Sequence, residues 1–92
     1  MSFTIQYERD VVAKDIPALP KRERTRIRKA MKEKLTTRPE IFGKPLRRSL
    51  KGYRKLRIGD YRVIFRIEQK TVKIFAVGHR SVIYVDYEKR FT

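Results

Sequence analysis

The sequence predicts an α+β fold of order β-α-α-β-β-β, with a helical hairpin packed on one face of a small, mostly antiparallel sheet. Three observations predict it. Residues 51–80 (KGYRKLRIGDYRVIFRIEQKTVKIFAVGHR) hold three strand-like runs parted by two turn signals. Residues 2–7 alternate apolar and polar side chains. Between these stretches apolar residues recur with a helical period.

The first strand is SFTIQY, which sets Phe3, Ile5 and Tyr7 on one side. From Glu8 the period changes: Val12, Ile16 and Leu19 mark one face of a helix starting near Glu8 or Asp10. Pro17 kinks or ends that helix unless it lies in a first turn. Pro20 opens a second helix at its first position, where no amide donor is lost. Ile27, Ala30, Met31 and Leu35 form its apolar face, with Lys and Arg on the other faces. Thr36-Thr37-Arg38-Pro39 stops it, because the residue before proline is pushed out of the α region. Residues 40–50 (EIFGKPLRRSL) read as a connector that Ile41, Phe42, Leu46 and Leu50 pin to the core.

In the meander, Tyr53, Lys55 and Arg57 oppose Arg54, Leu56 and Ile58 across the first strand. Gly59 and Asp60 supply turn chemistry. The next run sets Tyr61, Val63, Phe65 and Ile67 against Arg62, Ile64 and Arg66. Glu68-Gln69-Lys70 is a polar connection, and residues 71–77 are rich in strand formers. Lys55, Arg57 and Arg62 are expected to face solvent, with Arg80 just past the last strand. Residues 81–92 read as one helical turn or as a tail carrying Tyr84 and Tyr87.

Composition narrows the function. Residues 1–92 are expected to form a single domain, with no repeat, linker or low-complexity segment and one modest core. The absence of cysteine excludes a disulfide framework, a thiol nucleophile and a cysteine-type zinc site. No signal-peptide pattern is visible, and no apolar run approaches the roughly 20 residues that span a bilayer. A soluble cytoplasmic protein without a membrane partner is expected. The chain has 25 Lys+Arg against 10 Asp+Glu, a formal charge of +15. Residues 1–20 net −1, residues 21–60 net +12 and residues 61–92 net +4. So basic a middle segment attracts polyanions, either a phosphate backbone or an acidic protein.

The pattern GKPLRRSLKGYRKLRIGDYRVIFRI, followed by VKIFAVGHR and a nearby tyrosine, resembles the RelE/ParE toxin superfamily of toxin–antitoxin modules. The most specific pieces are LRIGDYRVIF (56–65) and VGHR (77–80), and the likeness covers nearly the whole chain. It implies a RelE-like microbial RNase fold and a ribosome-dependent mRNA endoribonuclease, acting in the A site without metal or other cofactor. The messenger's 2′-hydroxyl attacks the adjacent phosphate, leaving a 2′,3′-cyclic phosphate and a 5′-hydroxyl. It also implies an acidic cognate antitoxin as partner, besides ribosome and mRNA. Two alternatives share the fold: a ParE-like inhibitor of DNA gyrase, and a basic binding module without the chemistry.

The reaction requires a proton acceptor at the 2′-oxygen, cations on the phosphorane oxygens and stabilisation of the leaving 5′-oxygen. By the resemblance, Lys55, Arg62, Arg80 and Tyr84 take the catalytic positions. Arg54, Arg57 and His79 are expected to bind RNA or phosphate. So are Lys29 and Lys32 on the second helix, and Arg47 and Arg48 in the connector. A lysine accepts a proton near neutral pH only where its surroundings disfavour the charged form. Guanidinium scarcely releases a proton, so Arg80 is better read as a stabiliser of the leaving oxygen than as an acid. His79, the one histidine, reads as an acid in place of Arg80 or as a structural ring. Tyr84 reads as a base-stacking or a packing residue. The sequence departs from family members that carry a second lysine two residues before Lys55; Tyr53 stands there.

Overall fold

The computed structural model describes residues 2–46 and 51–91. Its five strands are β1 (Thr4–Tyr7), β2 (Lys44–Pro45), β3 (Tyr53–Ile58), β4 (Tyr61–Glu68) and β5 (Thr71–His79). They form one sheet of order β1-β5-β4-β3-β2. The β1–β5 pair is parallel and the others are antiparallel. The helices are α1 (Ile16–Ala18), α2 (Lys21–Leu35), α3 (Pro39–Phe42) and α4 (Ile83–Phe91). The α+β architecture and the three strands of the meander agree with the sequence reading. The two-residue β2, the single-turn α3 and the nine-residue α4 extend it.

The hairpin face is the larger core. Alternation sends Leu56, Ile58, Val63, Phe65, Val72, Ile74 and Val77 towards α2, which answers with Ile27, Met31 and Leu35 at a spacing of four. α2 ends as its sequence dictates. The hydroxyls of Thr36 and Thr37 donate back to the carbonyls of Lys32 and Glu33, satisfying acceptors that the last turn leaves open. Pro20 caps α2 from just outside it, in extended conformation, so the helix starts one residue later than the sequence suggests.

Three expectations are corrected. Val12 is 57% exposed, whereas Val11 and Asp15 are buried. The cause is a π-helical turn at Val11–Asp15, closed by the Ile16 N–H on the Val11 carbonyl, which widens the helix and rotates a different face inward. Pro17 is accommodated in the first turn of α1. In the connector Ile41 is 60% and Phe42 43% exposed; Pro39 and Gly43 are the residues that enter the core. Leu46 is half-buried, and Leu50 lies outside the described residues. Finally, the C-terminal stretch is a helix that covers the other face of the sheet. Ile83 of α4 packs with Tyr53, Ile64, Phe75 and Ala76, flanked by Tyr84 and Tyr87. The meander face expected to be wet is therefore half covered.

Gly43 is required by close approach. A Cβ there would lie 2.0 Å from Cζ of the fully buried Phe65. Gly43→Ala is expected to destabilise the fold by about 1–3 kcal/mol, the usual cost of overpacking a closed core. Urea unfolding measures this, and Phe65→Leu in the same chain should restore part of the loss. A Gly43→Ala protein as stable as the native one would contradict the packing.

Candidate functional site

The second face of the sheet places cations where α4 stops covering it. Lys55 and Arg57 project from β3 and Arg62 from β4, with Arg57 directly opposite Arg62 across the ladder. Like charges in that position destabilise a sheet. Among the described residues no carboxylate pairs with Lys55, Arg57 or Arg62. Arg66 on the same face differs. It rests over the rings of Tyr53 and Phe75 at 5.2 Å from each and is neutralised by Glu68, which also meets Lys73 at 3.5 Å. The Arg66 hydrogen bond, opposed by partial desolvation, holds the Glu68 carboxyl below the usual carboxylate range. That contribution is present near neutral pH and fades as acid protonates the folded-state carboxylate.

Arg62 is half-buried and fixed. Its Nη1 donates to the carbonyls of Gly59 and Tyr61, both at 2.9 Å, and three more guanidinium N–H groups remain to bind an anion. The carbonyls converge there because Gly59, at φ 60°, turns the two-residue β3–β4 loop. Tyr84 of α4 stands next to Lys55, whose Nζ is 5.9 Å from its ring centroid. Arg80 is anchored by its main chain, with its N–H on the Asp60 carbonyl at 2.8 Å. Its side chain is exposed and, among the described residues, pairs only with the exposed Asp60 carboxylate, at 3.9 Å. An exposed pair of this kind is worth about 0–1 kcal/mol, so an anion can displace it.

A β-bulge decides which residues join this cluster. Ile64 opposes Ala76 and Phe65 opposes Ile74, so Phe75 is the extra residue in β5. The insertion keeps Phe75 and Ala76 together on the α4 face and returns Val77 to the hairpin face. His79 follows Val77 there. Its ring packs edge-on against Tyr61 at 5.5 Å, and Nδ1 accepts the Ser81 N–H at 3.1 Å. It is thus separated from Lys55 and Arg62. Gly78 opposes Arg62 without a side chain, leaving that spot to Ile83.

The remaining candidates divide. Arg54 donates to the carbonyls of Gly43 at 3.0 Å and Glu40 at 3.4 Å, so its guanidinium closes the end of α3. Lys29 and Lys32 are exposed on α2 and do not line the cationic hollow. Arg47 and Arg48 lie outside the described residues. Three residues absent from the sequence-derived set do belong here. Lys34, Phe42 and Lys44 line a cavity of about 320 Å³ together with Lys55, Arg57 and Arg62. Lys44 is the register partner of Lys55 across the two residues of β2.

A larger cavity, about 580 Å³, lies between the π-turn, the end of β5 and α4. It mixes both signs of charge, and its central residues satisfy each other. Arg90 donates to both Asp15 oxygens, at 2.8 and 2.6 Å, and to the Phe75 carbonyl at 3.2 Å, while the Val77 N–H donates to Asp15 Oδ2 at 2.9 Å. The Asp15 hydrogen bond raises the Arg90 pKa above its already high ordinary value. For an anionic ligand the smaller cavity, whose charged lining residues are all cations beside Phe42 and Leu56, is the better match. Among the described residues no His, Asp and Glu side chains gather into a group that could hold a metal ion. No helix there is long and apolar enough to cross a membrane.

A family model described as the ParE toxin of the type II toxin–antitoxin system parDE matches residues 7–84. Toxin RelG of Mycobacterium tuberculosis is 36% identical over 86 residues, which cover 91% of this chain and 98% of that protein. Toxin RelE of the same organism is 34% identical over 74 residues, covering 78% and 76%. A chain of the crystallised toxin–antitoxin complex RelBE2 from M. tuberculosis superposes with a TM-score of 0.77 at 32% identity, covering 88% of this chain and 94% of that one. A free mutant of the Escherichia coli toxin RelE matches over the full length of both chains with a TM-score of 0.74, and at 19% identity it speaks for the fold alone. The chain belongs to the RelE/ParE superfamily of type II toxin–antitoxin toxins.

Proposed function

We propose that this toxin is a ribosome-dependent mRNA endoribonuclease of the cytoplasm, cutting in the A site through attack of the messenger's own 2′-hydroxyl. The observation that carries the reading is the unneutralised cluster Lys55, Arg57 and Arg62 on a half-covered sheet face, beside Tyr84. Arg62, preset by its two carbonyl contacts, stabilises the charge that builds on the phosphorane. Arg57 holds phosphate. Arg80 leaves Asp60 to meet the leaving 5′-oxygen. Lys55 sits at the position for accepting the 2′-proton, and Tyr84 stacks on a splayed base. Tyr53, at the position of a second family lysine, is buried and serves packing, so the proton transfer rests on Lys55 alone. An acidic antitoxin, charge-matched to the basic surface, is its proposed regulator.

The test is cleavage of messenger on programmed ribosomes, with the new ends mapped. A 2′,3′-cyclic phosphate is expected, and cleavage should persist in excess EDTA when a polyamine replaces the magnesium that the ribosome needs. Loss of cleavage on intact ribosomes under EDTA would refute the metal-independent mechanism. One observation favours the gyrase-inhibitor reading, namely that the matching family model bears the ParE name. Inhibition of DNA supercoiling without messenger cleavage would establish it instead.

A further inference from the structure

The cationic cavity has a second wall that the reaction at Lys55 and Arg62 does not use. Lys34 at the end of α2, Phe42 at the end of α3 and Lys44 in β2 form it. Phe42 is 43% exposed, and Lys34 Nζ lies 5.7 Å from its ring centroid. Neither Lys34 nor Lys44 meets a carboxylate among the described residues. A partly exposed aromatic ring beside cations that no carboxylate neutralises is how proteins hold single-stranded nucleic acid: bases stack on the ring and lysines follow the backbone. The spacing suits a chain. Lys44 and Lys55 are neighbours across about 4.8 Å of sheet, and Arg57 lies about 6.6 Å further along β3.

We propose that Phe42 is the stacking platform for the base of a nucleotide flanking the scissile phosphate, and that Lys34 and Lys44 bind that nucleotide's phosphate. The proposal rests on the ribonuclease reading above and adds a subsite to it. An apolar segment of a partner protein would engage the neighbouring Ile41 as well, which is 60% exposed. Ile41 does not line the cavity, whereas four cations besides Lys34 do. The surroundings of the ring therefore favour RNA.

The experiment measures two things for the native protein and for Phe42→Ala, Phe42→Leu, Phe42→Tyr, Ile41→Ala and Lys34→Ala. One is anisotropy binding of a fluorescein-labelled RNA tetranucleotide, made uncleavable by a 2′-deoxy sugar. The other is single-turnover cleavage on programmed ribosomes as toxin concentration is varied. Phe42→Ala and Phe42→Leu should weaken binding about tenfold, the loss expected for one base–aromatic stack, and Phe42→Tyr should keep it. The saturated cleavage rate should stay within about twofold of native, because stacking is felt equally by ground and transition state. Lys34→Ala should lower the salt slope of binding by about 1.

Native-like binding and half-saturation for Phe42→Ala would overturn the proposal, as would a Phe42→Leu protein that matches native. Equal losses for Ile41→Ala and Phe42→Ala would show that the ring is not singled out, and would likewise overturn the platform. A native chain that binds the oligonucleotide but never cuts would remove the ribonuclease reading and still judge the platform through binding alone. A native chain that does neither removes both.

Discussion

Arg62→Ala is expected to lower the single-turnover cleavage rate about 10²–10³-fold on saturated ribosomes, the usual loss for one donor aimed at developing charge. Ribosome binding should change little. The argument starts from geometry. The Gly59 and Tyr61 carbonyls fix one edge of the guanidinium at 2.9 Å, so its free donors need no reorganisation as negative charge grows on the phosphorane. A group preset in this way contributes mainly in the transition state and therefore appears in the rate constant. Arg62→Lys should recover only a small part, since one ammonium cannot face two carbonyls and a phosphate with planar forks. Arg80→Ala should cost less than Arg62→Ala, because Arg80 must first leave Asp60 and order an exposed side chain. Cleavage by Arg62→Ala at the native rate, once binding is saturated, would remove it from the chemistry. The gyrase-inhibitor or pure-binding reading would then lead.

The meander was legible because each of its strands keeps a strict alternation up to Phe75. Tyr61, Val63, Phe65 and Ile67 share a face in the molecule as they do in the pattern. The bulge was not legible, since an unbroken apolar run such as IFAV carries no parity for an insertion to disturb. Its consequence reaches the candidate site: it puts His79 on the hairpin face, away from Lys55 and Arg62. The π-turn was hidden for a related reason. Periodicity counts apolar residues, so it selected Val12 and passed over Asp15, a charged residue that is buried because the Val77 N–H and the Arg90 guanidinium both donate to it. Lys34 and Lys44 escaped notice because a lysine among many has no signature. Lys44 also needed a two-residue strand to bring it beside Lys55, which is shorter than any pattern reveals.

Arg90→Ala is expected to destabilise the protein by about 3–5 kcal/mol, the range for stripping one partner from a buried ion pair. Asp15 is about 8% exposed, and Arg90 supplies both of its oxygens. The pair also repairs the bulge. Phe75 and Val77 stand where β5 is no longer covered by β1, and the Phe75 carbonyl and Val77 N–H are taken up by Arg90 and Asp15 respectively. Removing Arg90 therefore strands a carboxylate and a carbonyl at once, and unfastens the last turn of α4 from the sheet. For a domain whose whole stability is about 5–15 kcal/mol, this is a large fraction. Asp15→Asn should cost less, because the amide oxygen still accepts the Val77 N–H. Combined with Arg90→Met, which fills the space without charge, it should cost well under the sum of the two single changes. Urea unfolding of the three variants completes the cycle. Strictly additive losses would mean that the two side chains act independently and that α4 is held by Ile83 and its aromatic neighbours instead. If the latch holds as described, Arg90→Ala should also slow cleavage. Tyr84 rides on α4 above Lys55, and its placement depends on the far end of that helix being tied down.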